Sequence, residues 1–400
     1  MKHYDLIVVG AGLAGLQCAR LLGRQGLSVL LIDRRPRLDR SIHTTGIFVR
    51  RTLDDFSIPE NCLGPAVRHV TLYSPARRKL ELTSPRDEFR VGRMARLYQH
   101  MLENCLHAGV EWMPATRYAG HTAAGEELIV RINGKYGGKP ESRMAAVRYI
   151  VGADGAASHI AKDLGLDLNS KWIVGVEDVF RNVPLEGPPR LSCFIDPELA
   201  PGYLAWVAHD GEEAHVGVGG YPSRFDPIKA LERFRGSLRH IVDLSRAKHM
   251  ERRGGQIPVG GVLRRIANLH GLLVGDAAGA VSPLTAGGLD PCMRLSTVAA
   301  DVIGEYLKTG KTEILKAYNG DAFRARFISR LWMRRLVANM RQRTLLELAC
   351  ASLFLPGLNS FARHVFFGRG SFPDVQIKLT SEPRASNASV ATCGGFLPNP

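Results

Sequence analysis

Three separated stretches of the chain repeat one pattern, in which a short apolar run is followed by a turn rich in glycine and small residues. The runs read Leu-Ile-Val-Val at residues 6–9, Tyr-Ile-Val at 149–151 and Leu-Leu-Val at 272–274. A short, continuously apolar run is typical of a strand buried on both faces, as in a parallel sheet. The pattern therefore predicts an α/β protein whose buried strands end in specialised turns.

The first run leads into the segment Gly-Ala-Gly-Leu-Ala-Gly at residues 10–15. Gly10 permits a tight strand-to-helix turn, Gly12 lets the backbone approach a pyrophosphate, and Gly15 lets the helix lie close to the strand. The next strand ends at Asp33, and an acid about 20 residues after the glycines is expected to hydrogen-bond an adenosine ribose. The predicted dinucleotide-binding residues of this unit are Gly10, Gly12, Leu13, Ala14, Gly15, Asp33 and Arg34.

The two later turns distinguish FAD from NAD. They read Gly-Ala-Asp-Gly-Ala-Ala-Ser at 152–158 and Gly-Asp-Ala-Ala-Gly at 275–279. With these motifs in this order, the chain resembles the flavoprotein superfamily that includes p-hydroxybenzoate hydroxylase and geranylgeranyl reductase, over residues 1–310. The resemblance implies that Asp154 lies by the pyrophosphate of FAD, that Asp276 binds the ribityl chain, and that Arg93 reaches toward the cofactor.

The loop after Asp276 is expected to approach the flavin ring. Asp290 is a favourable N-cap and Pro291 a favourable first residue, so a helix is predicted to begin near Pro291. Glycines before it would let the backbone pass close to a flat ring, and the helix N-terminus would stabilise negative charge on reduced flavin. The cofactor residues predicted here are Gly275, Asp276, Pro283, Gly287, Gly288 and Leu289.

The details of this loop favour one branch of the superfamily. The chain has Gly279 where the hydroxylases commonly carry a histidine, and its later Gly-Gly pair is similar to that of the geranylgeranyl reductases. The resemblance implies hydride transfer from reduced flavin to a double bond of an isoprenoid or quinone-like apolar substrate. The electron donor is expected to be NAD(P)H or ferredoxin.

Two other functions stay open at this point. One is an FAD-dependent monooxygenase that hydroxylates an aromatic or polyketide substrate. The other is a non-catalytic FAD-binding protein that docks on a membrane. The sequence carries no metal-ligand cluster and no Ser-His-Asp array, so the flavin is expected to carry the chemistry, and no metal is predicted.

A candidate proton donor lies in the segment His-Thr-Thr at residues 43–45. It stands where the reductases often carry Cys-Gly-Gly, so a thiol does not protonate the substrate here. His43 is a candidate acid because the pKa of imidazole suits proton transfer at neutral pH. Thr45 is a candidate for lining the flavin.

Two aromatic residues are candidates for contact with the substrate. Tyr203 and Trp206 lie in a segment similar to the Tyr-x-Trp stretch of the reductases, with one additional residue between them. Three residues apart in a strand, they would point to opposite faces. At most one of them is therefore expected to face the substrate unless a bulge intervenes, and the alternative is that both are aromatic residues that pack within the sheet.

The rest of the chain predicts an interleaved architecture. Alternating patterns at 67–84, 172–180, 191–195, 203–208 and 214–219 predict a mainly antiparallel sheet. The predicted fold is α/β with α+β interleaved: a Rossmann-like FAD-binding domain, an antiparallel-sheet substrate domain and a helical C-terminal segment. The predicted bounds are 1–65, 86–165 and 257–310 for the first, 66–85 and 166–256 for the second, 311–378 for the helical region and 379–400 for a loose tail.

Charge and cysteine usage bear on partners and location. The net charge of +15 fits nucleic acid, an anionic membrane or an acidic substrate as partner. Arginines crowd a helical stripe over 323–343, which predicts either peripheral contact with anionic lipid or an outer helix with snorkelling side chains. We expect a small apolar substrate and no nucleic acid. The seven cysteines are scattered and form no Cys-x-x-Cys pair, which indicates a reducing cytoplasm as the location. Within the cytoplasm, the protein could also associate with the inner face of the membrane.

Overall fold

The first glycine turn folds as the sequence predicts. A buried strand leads through Gly10 into a helix, and Gly10 has a φ of +107°. A Cβ on Gly10 would lie 2.3 Å from the carbonyl oxygen of Ala153, and a Cβ on Gly15 would lie 1.8 Å from the carbonyl oxygen of Gly10. Only glycine therefore fits at these two positions, where strand, helix and the second turn meet.

The computed structural model of the chain describes residues 1–136, 139–353, 355 and 357–368. The strands are β1 Lys2–Val9, β2 Val29–Ile32, β3 Ile47–Val49, β4 Leu63–Val67, β5 His69–Tyr73, β6 Lys79–Thr83, β7 Phe89–Gly92, β8 Glu111–Met113, β9 Arg117–Ala124, β10 Glu127–Tyr136, β11 Lys139–Gly152, β12 Trp172–Arg181, β13 Arg190–Phe194, β14 Ala205–His209, β15 Glu213–Gly220, β16 Lys248–Pro258 and β17 Gly271–Leu273. The α-helices are α1 Leu13–Arg24, α2 Arg50–Asp55, α3 Met94–His107, α4 His159–Asp163, α5 Pro227–Ser237, α6 Leu289–Thr309, α7 Gly320–Ala325, α8 Ile328–Asn339, α9 Arg343–Ser352 and α10 Asn359–Phe367.

The first sheet brings the three glycine turns together. Its strand order is β8-β2-β1-β11-β10-β9, and β17 pairs with β11. Strands β1, β2, β8, β11 and β17 run parallel, while β10 and β9 are antiparallel. Because β1, β11 and β17 are parallel neighbours, the turns that follow them lie at the same edge of the sheet, where ligands bind in open α/β sheets.

The second sheet is the predicted antiparallel one. Its order is β16-β12-β15-β14-β13-β5-β6, and every pairing is antiparallel except that of β13 with β5. One face packs on α5 through buried residues such as Phe180, Phe194 and Phe234. A third, smaller sheet has the order β3-β7-β4. The predicted fold class is confirmed, whereas the predicted domain bounds stay a prediction; β16 runs through Pro258, across the bound at 256.

Helices complete the described part of the chain. The helix predicted to begin near Pro291 begins at Leu289 and continues to Thr309. Helices α7 to α10 lie in the region predicted to be helical, while residues 369–378 of that region and the predicted tail at 379–400 lie outside the described residues. Among the described helices, none has the length and apolar character needed to cross a bilayer.

Candidate active site

A large cavity lies against the turn edge of the first sheet, the inner face of the second sheet and the C-terminal helices. Its volume is about 1710 Å³. A pocket for one drug-sized ligand has roughly 300–1,000 Å³, so this cavity has room for more than one ligand. One part is lined by the glycine turns and another by apolar side chains. The two parts therefore suit chemically different occupants.

The start of α1 opens on the cavity. Gly10, Gly12, Leu13 and Ala14 line it, whereas Gly15 packs behind them. No side chain caps the helix at Gly12, and a Cβ placed there would meet no atom within 4 Å. The first N–H groups of a helix have no partner within it, so they are available to an anion in the cavity. This end of the cavity fits a pyrophosphate.

Asp33 lines the same end and is held by a neighbouring arginine. Its carboxylate accepts from the backbone N–H of Ala11 at 2.7 Å and from Nε and Nη2 of Arg35 at 3.0 and 2.9 Å. Burial would raise the pKa of Asp33, but the Arg35 guanidinium outweighs it and the pKa is lowered. Arg34 also lines the cavity. The sequence analysis missed the role of Arg35, whose signal is its place two residues after the strand-ending acid.

The two later aspartates line the cavity but differ in their partners. The carboxylate of Asp154 accepts from the Ser158 hydroxyl at 2.6 Å and from the backbone N–H of His159 at 2.7 Å, so it holds the start of α4. The carboxylate of Asp276 accepts no hydrogen bond from the described residues, and burial raises its pKa to about 6. Asp276 is therefore the acid with spare capacity for a ligand hydroxyl.

A second helix end, that of α6, also opens on the cavity. Gly287, Gly288 and Leu289 line it, and no side chain caps the helix at Gly288. The predicted cap, Asp290, lies inside the first turn, where its Oδ1 accepts from the Thr52 hydroxyl and from Arg294, each at 2.9 Å. Gly275 lines the cavity as predicted.

Besides Gly15, two predicted cofactor residues do not reach the cavity. Pro283 is not among its lining residues. Arg93 is buried at the start of α3, and its guanidinium binds Asp210 at 2.8 Å and Glu212 at 2.7 Å, with Glu213 at 3.3 Å. These carboxylates lie in and beside the loop between β14 and β15, and they hold Arg93 away from the residues that line the cavity. The cofactor contact of Arg93 stays a prediction.

The four predicted catalytic residues all line the cavity. His43 is exposed, and its Nδ1 lies 2.9 Å from the carbonyl oxygen of Gly254. Tyr203 donates to the carbonyl oxygen of Thr285 at 2.7 Å. The expectation that Tyr203 and Trp206 face opposite ways was wrong, because β14 begins at Ala205 and Tyr203 precedes it. Their rings pack edge to face with centroids 6.5 Å apart.

A buried carboxylate that the sequence analysis missed connects the other two. Glu177 of β12 lines the cavity and is 3% exposed. Its Oε2 accepts from the Thr45 hydroxyl at 2.6 Å and from the Trp206 indole N–H at 3.1 Å. Its Oε1 lies 3.3 Å from Nδ1 of His215 and 3.7 Å from a guanidinium nitrogen of Arg253. The signal in the sequence was a pair of acids inside an otherwise apolar strand.

The charges of this cluster are set by its own members. Burial alone would raise the pKa of Glu177, but His215 and Arg253 lower it overall. Burial alone would lower the pKa of His215, but Glu177 on one side and Glu213 on the other raise it overall. His215 is fully buried, and its Nε2 lies 3.6 Å from Glu213. The cluster therefore favours the imidazolium form of His215, which carries a proton behind the cavity wall.

The remaining part of the cavity is apolar. It is lined from β5, β7, β13 and the C-terminal helices by Leu72, Phe89, Leu191, Cys193, Ile195, Leu204, Leu353, Phe361, Ala362, Val365, Phe366 and Phe367. The described residues contain no group of His, Cys, Asp and Glu able to hold a metal ion. Such a surface suits a long hydrocarbon rather than a polar metabolite.

The cavity combines two uncapped helix N-termini that can bind phosphates with a carboxylate, Asp276, that can accept a ligand hydroxyl. Its remaining part is apolar. This combination fits an enzyme that binds FAD beside an apolar compound. The class is that of the FAD-dependent oxidoreductases with a Rossmann-like cofactor domain. The chain belongs to the FAD binding domain family, whose model matches residues 3–333.

Relatives with known names agree with this class. The chain is 26% identical over 324 residues to the digeranylgeranylglycerophospholipid reductase of Methanocaldococcus jannaschii, covering 79% of this chain and 81% of the relative. It is 27% identical over 318 residues to the geranylgeranyl diphosphate reductase of Rhodobacter capsulatus, covering 78% of each. A geranylgeranyl bacteriochlorophyll reductase-like protein of Thermoplasma acidophilum has the same fold, with a TM-score of 0.78, 20% identity, and 92% and 98% coverage of this chain and of that one.

Proposed function

We propose that this enzyme reduces carbon–carbon double bonds of an isoprenoid or quinone-like apolar substrate, with the hydride supplied by bound FAD. The observation that carries the proposal is the joining of a dinucleotide-sized site to a long apolar branch in one cavity. The two relatives named above are reductases of geranylgeranyl compounds, which favours an isoprenoid chain. For the electron donor, we propose NAD(P)H or ferredoxin.

The residues that would hold FAD follow from the contacts described above. The N–H groups at Gly12, Leu13 and Ala14 would bind the pyrophosphate, because no side chain caps that helix end. Asp33 would accept from the adenosine ribose, and Asp276 from a hydroxyl of the ribityl chain. The other helix end, at Gly287, Gly288 and Leu289, would stabilise negative charge on the ring. Asp154 would act indirectly, by holding the turn at 152–158.

Reduction of a double bond also consumes a proton, and we infer that Glu177 supplies it rather than His43. His43 is exposed and bonded to a backbone carbonyl, whereas Glu177 is buried at the cavity wall. The Nδ1–H bond of His215 would break as an O–H bond forms on Glu177 Oε1. The proton on Oε1 would then pass to the substrate carbon, while the Thr45 hydroxyl, which donates to Oε2, would hold the carboxyl group in position.

The C-terminal helices support a further proposal, that the enzyme takes its substrate from an anionic membrane surface. We define the docking surface by exposed apolar and basic residues of this region: Arg326, Ile328, Trp332, Leu336, Arg341, Leu345 and Leu348. Trp332 is 65% and Leu348 68% exposed. Apolar and basic side chains exposed together suit the headgroup region of anionic lipid. The same helices line the apolar branch of the cavity.

Vesicle binding tests the docking surface. The double variant Trp332→Ser/Leu336→Ser is expected to bind phosphatidylglycerol vesicles about tenfold more weakly, because it removes two partly buried apolar contacts with lipid. Leu269→Ser is the matched control, since Leu269 is 54% exposed and lies outside the surface. Equal binding to phosphatidylcholine and phosphatidylglycerol vesicles, or no binding by the unchanged protein, would refute the proposal.

Anaerobic turnover tests the main proposal. The FAD-loaded protein is reduced with NADPH, NADH, reduced ferredoxin or dithionite and mixed with a geranylgeranyl lipid. We expect the visible absorbance of oxidised flavin to return and the lipid to gain two hydrogen atoms per double bond by mass spectrometry. A lipid that gains an oxygen atom in air would indicate the monooxygenase. Bound FAD that no donor reduces would indicate the non-catalytic protein.

A further inference from the structure

One arginine of α8 is buried in the cavity wall, and no acidic partner contacts it in the part of the chain that the structure describes. Arg334 is 4% exposed and lines the cavity. Its Nε and one terminal nitrogen have no hydrogen-bond partner among the described residues. Its guanidinium carbon lies 5.5 Å from the ring centre of Tyr203 and 5.2 Å from that of Tyr221. The buried guanidinium of Arg334 thus packs against two aromatic rings.

The other buried arginines show how unusual this is. Arg93, Arg253 and Arg294 are comparably buried, and each contacts carboxylates. A buried cation without a partner is costly, and contact with aromatic faces offsets only part of that cost. A side chain held in this state is an open site for an anion that arrives from the cavity.

A second arginine lies on the same side of α8. Arg330 stands one turn before Arg334, so the two side chains are neighbours on the helix surface. Arg330 also lines the cavity, and it donates to the Ser282 hydroxyl at 3.1 Å. Burial lowers the pKa of Arg330. Two guanidinium groups therefore border the cavity within one helical turn.

We propose that Arg334, with Arg330 beside it, binds the phosphate or diphosphate headgroup of the substrate. A planar guanidinium matches phosphate oxygens with paired donors, and the unbonded nitrogens of Arg334 are the donors in place for them. The headgroup would lie at Arg334 while the chain occupies the apolar branch. The lipid nature of the ligand rests on the proposed function; the anion site rests on the unpaired guanidinium.

Binding to the oxidised, FAD-loaded protein tests this without any turnover. The ligands are geranylgeranyl diphosphate, geranylgeraniol of the same chain length, and inorganic pyrophosphate, compared by titration calorimetry. We expect the unchanged protein to prefer the diphosphate over the alcohol by on the order of tenfold or more, as for a charge-assisted hydrogen bond. In Arg334→Met, affinity for the alcohol is retained and the preference is lost; Arg334→Lys keeps part of it.

Arg335→Met is the matched control. Arg335 is the next residue along α8, is exposed, and packs on the Trp332 ring with its guanidinium carbon 5.1 Å from the ring centre. This variant is expected to keep the full preference for the diphosphate.

Several results would overturn the proposal. One is equal binding of the alcohol and the diphosphate by the unchanged protein, and another is an unaltered preference in both Arg334→Met and Arg334→Lys. A third is loss of FAD from Arg334→Met, which would show that Arg334 binds the cofactor. Inorganic pyrophosphate bound as tightly as the prenyl diphosphate would indicate a free-anion site instead of a headgroup site. An intact preference without reduction of any double bond would refute the proposed function and leave the anion site standing.

Discussion

Glu177 and Asp178 are adjacent carboxylates of β12 that lie on opposite faces of one sheet. Both pair with a histidine and with arginine, but the two clusters differ in their burial and in the role that we propose for each. Adjacent residues of a strand point to opposite faces, and here both are buried. Asp178 points away from the cavity, where its oxygens bind Arg252 at 2.8 Å, Arg235 at 3.1 Å and His249 at 3.1 Å. Glu177 points to the cavity.

The difference lies in the partners. The partners of Asp178 are half exposed, so water screens their charges. This outer cluster of Asp178, Arg235, His249 and Arg252 connects β12, β16 and α5 and is structural. The partners of Glu177 include His215, which is fully buried. A proton on His215 is therefore shielded from direct contact with bulk water, and the path from it to the cavity leads through Glu177. The comparison indicates that burial of the histidine, rather than the presence of a His–carboxylate pair, is the sign of function.

The largest expected effect is that of Glu177→Gln. It should lower turnover by roughly 100-fold or more, the usual range for loss of a positioned acid, while FAD stays bound. The pKa of His215 should also fall, because a negative partner is lost while the burial remains. Anaerobic turnover and an NMR titration of the His215 ring measure the two effects. Unchanged turnover would remove Glu177 from the chemistry.

The next largest effect is expected in the pH dependence of turnover, which distinguishes His215 from His249 on the other face. If the imidazolium of His215 refills Glu177, turnover is full below the pKa of His215 and falls up to about tenfold per pH unit above it. Since that pKa is raised from 6.5, the decline begins on the alkaline side of 6.5. His215→Gln should abolish the decline along with most of the turnover. His249→Gln, in the outer cluster, should leave the profile unchanged; a shifted profile would contradict the distinction between the faces.

Thr45→Val removes the hydroxyl shared with Glu177. A hydrogen bond to a charged group contributes about 1.5–3 kcal/mol, so turnover is expected to fall by about tenfold or more. Thr45→Ser keeps the hydroxyl and should restore most of the rate. If valine and serine behave alike, the hydroxyl takes no part in positioning Glu177 for proton transfer.

The smallest effect on turnover belongs to the outer face. Asp178→Asn leaves Arg252 and Arg235 without their carboxylate, and the loss of charged hydrogen bonds should lower the free energy of unfolding by about 1–3 kcal/mol. Turnover of the folded enzyme should be unchanged. Urea unfolding and anaerobic turnover are the two measurements, and a large loss of turnover in the folded variant would show that both faces contribute to the reaction.

The features that could be predicted from the sequence are those formed by residues close together along the chain. The turn at 10–15, the acid at Asp33 and the glycines at 287–288 lie within single strand-turn-helix units, whose geometry constrains the residues that carry it. The antiparallel strands β5, β6, β14 and β15 were also predicted, since the alternation of apolar and polar residues specifies them.

What could not be predicted depends on contacts between distant parts of the chain. Thr45, Glu177 and His215 come from three separate elements, and no local pattern links them. The ion pairs of Arg93 with the carboxylates of residues 210–213 were not predicted, because those residues lie far away in sequence. The arginines of α8 read as one basic stripe, although the fold turns Arg334 inward and leaves Arg335 exposed.

The most direct test of the whole account is the isotope content of the product. A geranylgeranyl lipid is reduced anaerobically by the enzyme in deuterated water, with the flavin reduced beforehand by a protiated donor in a single turnover. The account predicts deuterium at the carbon that receives the proton for each double bond reduced, and a second deuterium only where the exchangeable N–H of reduced flavin equilibrates with the solvent before hydride transfer. An unchanged lipid, or a product that carries oxygen in place of added hydrogen, would contradict it.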